Sequence, residues 1–299
     1  MNPFQKFVSE QARLLRCGGR LPLGHPPKIA RRPRIPSGAP RALIFSPHPD
    51  DECIVGGLAL RLLREAKWNI INVAVTLGSK KERRAARRRE LQNACASLGF
   101  DLVVPREQGL EQITLTSRKQ DRARWQAAVK VIAGILAEQR PRVVFLPHEN
   151  DWHPVHVGTH FLVLDALKML PASFQCHVVE TEFWGPMTEP NLLVEVRVAD
   201  VAGLVAALAC HAGEVRRNPY HARLPAWLMD NVRRGAELVG GPSPRRSGFV
   251  HGGGQGGAAP DFTFGTIYRL RKWSRERLVP VQRGQRFLSR TTKAGKLFG

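Results

Sequence analysis

Short apolar runs alternate with longer stretches of helical periodicity along most of the chain. Apolar and β-branched residues predict strands at positions 42–45, 69–77, 102–104, 143–146, 177–181, 192–196 and 262–270. Apolar residues that recur every three or four positions predict helices at positions 57–64, 82–98, 122–139, 156–170, 199–210 and 224–239. This alternation is typical of an α/β fold, in which helices cover a largely parallel sheet.

The N-terminal end departs from this alternation. Residues 1–40 are predicted to be a basic extension that begins with an amphipathic helix, whose apolar face consists of Phe4, Phe7, Val8, Leu14 and Leu15. A link rich in proline and arginine follows it. Such a helix can rest on an anionic membrane. More commonly it packs on its own domain, and the sequence favours that arrangement here.

The C-terminal end is also irregular and basic. Residues 252–257 are mostly glycine and predict a flexible segment, and residues 271–299 predict a solvated or partly disordered basic tail. The alternative for this tail is contact with nucleic acid or phospholipid. The predicted organisation is therefore an N-terminal extension (1–40), one α/β domain (41–270) and a C-terminal tail (271–299).

Composition limits the class of protein. No run of about 18 apolar residues and no secretory signal is present in the 299 residues, so neither a transmembrane helix nor secretion is predicted. Five cysteines without a Cys-x-x-Cys spacing predict reduced thiols and a cytoplasmic protein. The net charge of +21 predicts an anionic partner or a generally basic surface. We expect the basic termini to allow peripheral contact with the inner membrane face, and we expect no specific nucleic-acid partner.

Polar side chains crowd together after two of the predicted strands. The first elbow (residues 46–52) offers His48, Asp50, Asp51 and Glu52, and the second elbow (residues 147–156) offers His148, Asp151, His153 and His156. Ligands of α/β folds collect at the carboxyl ends of the strands. Carboxylates packed so closely repel one another unless something binds them, and a divalent metal is the simplest candidate. The two elbows together therefore predict a metal site.

These motifs resemble the zinc-dependent de-N-acetylases of the PIG-L/LmbE type. The resemblance lies in five short motifs between positions 41 and 211: His-Pro-Asp-Asp-Glu at 48–52, Thr-x-Gly at 76–78, an Arg-x-x-Glu helix with Arg87 and Glu90, His-Pro-x-His at 153–156, and Ala-Leu-x-x-His ending at His211. It implies a Rossmann-like α/β fold with a mostly parallel sheet and helices on both of its faces.

The resemblance also implies roles for individual residues. His48, Asp51 and His156 would hold the metal, which would be Zn²⁺, although Fe²⁺ suits the same ligands. Asp50 would be the general base, and His153 would either stabilise charge or protonate the leaving amine. Arg87 would contact the substrate, or would simply be a charge on a solvated helix face. Glu52 would support the elbow, and His211 would lie behind the ligands.

The sequence also departs from the family pattern. Val155 stands where many members have a carboxylate. The loss of that carboxylate changes the support that surrounds a histidine ligand. Asp151 stands where some members have a tyrosine that assists the oxyanion. The region after His211 lies outside the motifs, and in this family that region shapes the substrate pocket.

The resemblance implies a metal-dependent hydrolase that removes an N-acetyl group from an amino-sugar conjugate, such as a lipid-linked or cell-surface glycan. Two alternatives stay open at this point. The first is an amide hydrolase that acts on a non-sugar acylated metabolite. The second is a basic protein that binds membranes or nucleic acid and retains a vestigial site.

Overall fold

A computed structural model describes residues 2–25, 32–239, 262–281 and 287–299 of the chain. The glycine-rich segment at 252–257, predicted to be flexible, lies outside these residues. Within them, a nine-stranded sheet forms the centre of the molecule. Its strands are Arg41–Ser46 (β1), Asn69–Ala74 (β2), Asp101–Val103 (β3), Val143–Pro147 (β4), Cys176–Thr181 (β5), Leu192–Glu195 (β6), Gly265–Ser274 (β7), Arg277–Pro280 (β8) and Phe287–Leu288 (β9).

The strand order places the first and fourth strands side by side. The order is β3-β2-β1-β4-β5-β7-β6-β9, with β8 paired to β7. The first five strands in this order are parallel, whereas β7 runs antiparallel to both β5 and β6. Because the chain extends outward from β1 in one direction and from β4 in the other, the order reverses between these two strands. Such a reversal leaves a crevice at the carboxyl ends of the strands.

Helices cover both faces of the sheet. They are Pro3–Gly18 (α1), Asp51–Ile54 (α2), Gly57–Ala66 (α3), Arg84–Leu98 (α4), Leu115–Gln120 (α5), Arg122–Gln139 (α6), Pro154–Leu167 (α7), Val198–Cys210 (α8), Ala212–Val215 (α9) and Tyr220–Leu238 (α10), with 3₁₀ turns at Lys81–Arg83 and Ala294–Phe298. Alternate residues of β1 face opposite ways. Ala42 and Ile44 join the core beneath α3, α4 and α8, while Leu43 and Phe45 join the core beneath α6 and α7. The predicted α/β, Rossmann-like fold is confirmed.

For some helices, residues that mark helix ends allowed the bounds to be predicted to the residue. Helix α6 has the predicted bounds because Asp121 caps its first turn, accepting a hydrogen bond from the Arg124 backbone N–H at 3.1 Å. Its last residue is followed by Arg140 in the left-handed region and then by Pro141, which cannot continue a helix.

The described parts of the C-terminal tail, residues 271–281 and 287–299, are folded, contrary to the solvated or partly disordered extension predicted for residues 271–299. Strand β7 continues to Ser274, β8 pairs with it, and β9 joins β6. The guanidinium of Arg61, which is fully buried, donates to the backbone carbonyls of Leu288, Ser289 and Thr292 at 2.8–3.0 Å. This anchor could not be predicted from the sequence, because Arg61 is a charged residue in an otherwise ordinary amphipathic helix.

The N-terminal helix forms as predicted but does not pack on the domain along its length. None of the residues of α1 is buried, and the side chains of Phe4, Phe7 and Val8 are 62–76% exposed. Among the described residues, its C-terminal end meets the domain, where Gly18 lies against Ala222 of α10. The favoured packed arrangement is therefore wrong for most of the helix. In the described part of the chain, no helix combines the length and the apolar character that a membrane span requires.

Phe298 provides a test of the folded tail. Its side chain is fully buried, with ring centroids 5.7 Å from Trp68 and 5.1 Å from His177. We expect Phe298→Ala to lower the free energy of unfolding by about 3 kcal/mol, because it leaves a cavity in the core. Urea unfolding measures this loss. Lys296→Ala, an exposed position in the same turn, serves as the control, and equal stability of both variants would mean that the tail is not packed.

Candidate active site

The two elbows meet at the crevice between β1 and β4. These strands are parallel neighbours in register from Ala42 opposite Val143, so their carboxyl ends lie at the same edge of the sheet. The first elbow leads from β1 into α2, and the second leads from β4 into α7. Residues about 100 positions apart in the chain are thereby brought together, as the sequence predicted.

The backbone of the first elbow is bent at Asp50, whose φ of 111° is unusual for a residue other than glycine. The surrounding hydrogen bonds hold this conformation. Glu52 Oε2 accepts from the Asp50 N–H at 3.0 Å, and Asp51 Oδ2 accepts from the His48 N–H at 2.8 Å. The Thr76 hydroxyl donates to the carbonyl of Pro47 at 2.7 Å. The elbow is therefore fixed before any ligand binds.

Arg87 and Gly78 complete the support of the first elbow. The guanidinium of Arg87 donates to the Pro49 carbonyl at 3.0 Å. A Cβ atom at Gly78 would lie 2.3 Å from the same guanidinium, and the φ of Gly78 is +88°. Glycine is therefore required in the Thr-x-Gly motif so that Arg87 can reach the elbow. Arg87 does not extend into solvent from a free helix face.

In the second elbow, His153 caps helix α7. Its Nδ1 accepts from the Val155 N–H at 3.3 Å, so its proton is on Nε2. Burial, together with the neighbouring His48 and His156, lowers the pKa of His153 to about 4. His153 is therefore a neutral side chain with one N–H to donate. It lies edge-on to His48, with ring centroids 4.7 Å apart.

Three potential ligand atoms converge between the elbows. His48 Nδ1 lies 3.3 Å from His156 Nε2, and each of these nitrogens lies 3.5 Å from Asp51 Oδ2. Charge-assisted hydrogen bonds between histidine and carboxylate are shorter, at about 2.7–2.9 Å. By contrast, two ligands of a tetrahedral zinc ion with bonds of about 2.0–2.1 Å lie about 3.3–3.4 Å apart. The spacing of this histidine–aspartate cluster (His48, Asp51 and His156) thus fits a small divalent cation better than direct hydrogen bonding.

Asp151 lies behind the cluster. His156 is fully buried and its Nδ1 has no hydrogen-bond partner in the described residues, but Asp151 Oδ2 lies 3.7 Å away. Asp151 also accepts from the backbone N–H groups of His153 and Trp184, at 2.8 and 3.2 Å. A carboxylate behind a histidine ligand fixes the orientation of its ring. Asp151 is therefore placed to orient the His156 ring, and it does not line the main cleft as an oxyanion helper would.

Asp50 is the carboxylate beside the cluster whose oxygens have no hydrogen-bond or ion-pair partner among the residues that the structure describes. Burial raises the pKa of Asp50 well above its ordinary value, and the adjacent Asp51 raises it further, while Arg87 opposes the shift. Its side chain lines the main cleft together with His48, Asp51 and His153. A carboxylate with a raised pKa that faces a cleft is suited to accept and return a proton.

Glu52 and His211 form a buried pair beneath the elbow. Glu52 Oε1 lies 2.8 Å from His211 Nε2, and both side chains are almost fully buried. With Cys53 they could also hold a metal by spacing alone. However, Glu52 is already engaged by the backbone of Asp50 and by His211, so the pair supports the elbow. A third group of this kind, Glu149, His160 and Glu180, is held by ion pairs of its glutamates with Arg269 and Arg271.

His148 was among the candidates of the second elbow, but the structure does not bring it to the cluster. Its Nε2 lies 2.8 Å from the carbonyl of Gly185, and its Nδ1 accepts from the Asn150 N–H. His148 therefore shapes the loop instead of facing the cleft.

The main cleft in front of the cluster encloses about 770 Å³. Trp152, Trp184 and Tyr220 contribute an aromatic rim, and Arg217 and Lys81 add positive charge. Trp184, Arg217 and Tyr220 were not predicted from the sequence, because they lie outside the short motifs. Only the fold places the start of α10 beside the elbows.

Comparisons with known proteins agree with this geometry. The profile of a family described as PIG-L: GlcNAc-PI de-N-acetylase matches residues 43–167. Among solved structures, N,N′-diacetylchitobiose deacetylase from Pyrococcus horikoshii superposes with a TM-score of 0.53 at 17% identity, over 90% of this chain and 93% of that chain. Teicoplanin deacetylase Orf2 superposes with a TM-score of 0.51 at 17% identity, over 78% of this chain and 98% of that chain. No curated protein matches the sequence.

One similar structure catalyses a different reaction. GalB, the 4-carboxy-2-hydroxymuconate hydratase from Pseudomonas putida KT2440, superposes with a TM-score of 0.58 at 15% identity, over 82% of this chain and 99% of that chain. At such identities the likeness shows a shared fold. The segment that matches the PIG-L family profile, residues 43–167, contains both elbows. The resemblance deduced from the motifs is thereby confirmed.

The pair beneath the elbow gives a stability prediction. We expect His211→Ala to lower the free energy of unfolding by about 3 kcal/mol, because it leaves the buried Glu52 carboxylate without its partner. His211→Gln keeps a donor and should recover part of the loss. Chemical unfolding of both variants measures the difference. Equal stability of the alanine variant and the unmodified protein would contradict a supporting role.

Proposed function

We propose that this protein is a metal-dependent hydrolase that removes an N-acetyl group from an amino-sugar conjugate. The single observation that carries the proposal is the convergence of three ligand atoms at 3.3–3.5 Å beside Asp50, inside a domain of the de-N-acetylase family. The hydratase with the same fold is a reminder that fold alone does not decide the reaction. The proposal therefore rests on the site.

His48, Asp51 and His156 would hold the metal, and Zn²⁺ is the proposed ion because two imidazoles and one carboxylate suit it. Fe²⁺ suits the same ligands. The unpartnered Nδ1 of buried His156 supports this assignment, because Asp151 can complete its hydrogen bonding once the ring is held by a cation. When bound, the metal supplies a Lewis acid that activates water and polarises the amide carbonyl.

The side chains around the cluster have separate tasks in amide hydrolysis. Asp50 takes a proton from the attacking water as the new C–O bond forms. His153, which is neutral, donates its Nε2–H to the oxygen that gains negative charge. The C–N bond then breaks, the amine leaves with the proton returned by Asp50, and acetate is released. Arg87 fixes the Pro49 carbonyl, and its charge opposes the rise in the pKa of Asp50 that burial and Asp51 cause.

An amino sugar is the substrate class that the cleft supports best. The ring centroids of Trp184 and Tyr220 lie 5.2 Å apart at the rim, and Trp152 is 74% exposed beside them. Aromatic side chains combine a broad apolar face with a polar tip, so they suit the mixed surface of a sugar ring. A non-sugar acylated metabolite remains an outcome of the test below.

The test compares acetate release with metal content. The zinc-loaded protein should release acetate from N-acetylglucosamine conjugates and should contain about one equivalent of zinc per chain. Asp50→Asn should retain the zinc but lower kcat by about 10²–10⁴-fold, because it removes the general base. His156→Ala should lose both the zinc and the activity. Zinc content is measured by atomic absorption, and acetate by a coupled assay.

His25→Ala is the matched control, because His25 is exposed and lies outside the site. It should retain both zinc and activity. If the zinc-loaded protein releases acetate only from non-sugar amides, the sugar assignment is wrong. If His156→Ala binds as much zinc as the unmodified protein, the proposed ligand set is wrong.

A second candidate function is contact with an anionic membrane surface through helix α1. Its exposed apolar side chains share one face, and Lys6, Arg13 and Arg16 lie on the other side of the helix. The only acidic residue of the helix, Glu10, is paired with Arg13 at 2.7 Å. A helix with this distribution binds at the interface of an anionic bilayer, with its apolar face among the acyl chains.

Vesicle sedimentation tests this contact. The protein should bind vesicles that contain phosphatidylglycerol and should bind pure phosphatidylcholine vesicles weakly. The double variant Phe4→Ser/Phe7→Ser should weaken binding more than tenfold, because each phenylalanine buried in the bilayer contributes about 1.5–3 kcal/mol. Gln5→Ser, on the polar face, is the control. Equal binding by the double variant would contradict a role for the helix, as would concentration-dependent dimerisation without vesicle binding.

A further inference from the structure

A small cavity of about 10 Å³ lies next to the turn that joins α2 to α3. Ile54 and Val55 of that turn form one wall of the cavity, and Trp227 of α10 forms part of another. The small cavity shares no lining residue with the main cleft. Whatever binds in it is therefore separate from the substrate.

Three polar residues from three different elements also line the small cavity. Glu182 follows β5, Asn231 lies in α10, and Thr266 lies in β7. The side chain of Glu182 is 7% exposed, and Asn231 and Thr266 are 6% and 4% exposed. Each has one oxygen without a hydrogen bond in the part of the chain that the structure describes: Glu182 Oε2, Asn231 Oδ1 and Thr266 Oγ1. Buried polar atoms are normally hydrogen-bonded, so three such oxygens around one cavity point to a ligand.

The remaining polar atoms of Glu182 and Asn231 are already engaged. Glu182 Oε1 lies 2.7 Å from Arg234 Nη1, and Asn231 Nδ2 donates to the Gly265 carbonyl at 3.3 Å. These contacts decide which oxygen of each side chain is left over. Burial raises the pKa of Glu182 even though Arg234 opposes the shift, which indicates that this carboxylate has fewer hydrogen-bond donors than it needs.

Tyr268, which also lines the small cavity, does not supply the missing donor. Its hydroxyl donates to the Val55 carbonyl at 2.8 Å and accepts from the Leu58 N–H at 3.1 Å. The Thr266 hydroxyl lies near this phenol but makes no hydrogen bond of ordinary geometry with it. Because the phenol proton is already used, Glu182 and Asn231 need hydrogens from a bound molecule.

We propose that the small cavity binds one structural water molecule, which donates its two hydrogens to Glu182 Oε2 and Asn231 Oδ1 and accepts the hydroxyl hydrogen of Thr266. Water fits because two of the three oxygens can only accept, whereas a hydroxyl can donate. Buried waters make about three hydrogen bonds to groups that otherwise lack them, and a cavity of about 10–15 Å³ is enough for one. A cation is less suitable, because Arg234 already supplies positive charge beside Glu182.

The bound water would connect both sides of the cleft rim to the sheet. Trp184 follows Glu182 by two residues, and Tyr220 begins the helix that carries Asn231. Both aromatic residues line the main cleft, while Thr266 belongs to the central sheet. One water would thus hold the loop after β5 and α10 against β7. Its test needs no substrate, so this inference stands apart from the proposed function.

A high-resolution crystal structure tests the site directly. We expect one density peak at about 2.7–3.0 Å from all three oxygens, the distance of O–H···O hydrogen bonds. A peak at about 2.3–2.6 Å from the oxygens would indicate a cation such as Ca²⁺ and would overturn the assignment to water. A well-defined cavity without density would overturn the site.

Thr266→Val tests the same site in solution, because it removes the hydroxyl and keeps the shape of the side chain. If water is bound, the variant places a methyl group against it, and Tm should fall by about 2–4 °C, the effect of one buried hydrogen bond. If the cavity is dry, the variant instead removes an unpaired buried hydroxyl, so Tm should stay the same or rise. The direction of the shift therefore decides between the two states of the cavity.

Thr159→Val is the matched control. Thr159 is fully buried, its Oγ1 has no hydrogen bond within the described ranges, and it lines neither the main cleft nor the small cavity. Its Tm should stay the same or rise. A fall equal to that of Thr266→Val would show that loss of any buried hydroxyl has this effect, and it would overturn the solution evidence for the water.

Discussion

The bent backbone at Asp50 is the constraint on which the site depends. A residue with a side chain at a φ of 111° costs about 1–3 kcal/mol, so the surrounding structure must hold it. Glu52 accepts a hydrogen bond from the Asp50 N–H and is itself paired with His211. Thr76, which follows the neighbouring strand, donates a hydrogen bond to the Pro47 carbonyl. The bend turns the Asp50 carboxylate towards the cleft while Asp51 stays with the histidines. Two adjacent carboxylates thereby acquire different environments, which a straight strand end could not provide.

The parallel pairing of β1 and β4 is what turns two ordinary loops into one site. His48 and His156 are distant in the chain, yet their ring nitrogens lie 3.3 Å apart because both strands end at the same edge of the sheet. The second elbow is held by contacts of its own. His153 caps α7, and Asp151 Oδ2 lies 3.7 Å from His156 Nδ1. Since these contacts already fix the rings, a bound cation needs little rearrangement of its ligands. The rigid scaffold accounts for ligand spacing that already suits a metal.

Local chemistry decided which parts of the molecule could be predicted from the sequence. The ends of helix α6 could be predicted to the residue because Asp121 and Pro141 mark them, and candidate ligands could be proposed because they crowd two short motifs. The tail was misjudged because its anchor, Arg61, lies more than 220 residues from the carbonyls that it binds. Likewise, Tyr268 of β7 clamps the turn between α2 and α3, donating to the Val55 carbonyl and accepting from the Leu58 N–H. Neither contact has a local signal, since both depend on the completed sheet.

The same fold in a hydratase and in two deacetylases separates what the scaffold provides from what determines the reaction. The scaffold provides a crevice where the strand order reverses, and any chain with this topology has one. The reaction depends on which side chains the two elbows present there, and in this chain they are Asp50, the histidine–aspartate cluster and His153. We expect substrate choice to depend on residues farther out, such as Trp184 and Tyr220, which line the main cleft and lie beyond the matched family segment. Among the described residues, no hydrogen bond that holds the bend at Asp50 involves these two side chains, so changes at the rim can alter the substrate without disturbing the bend.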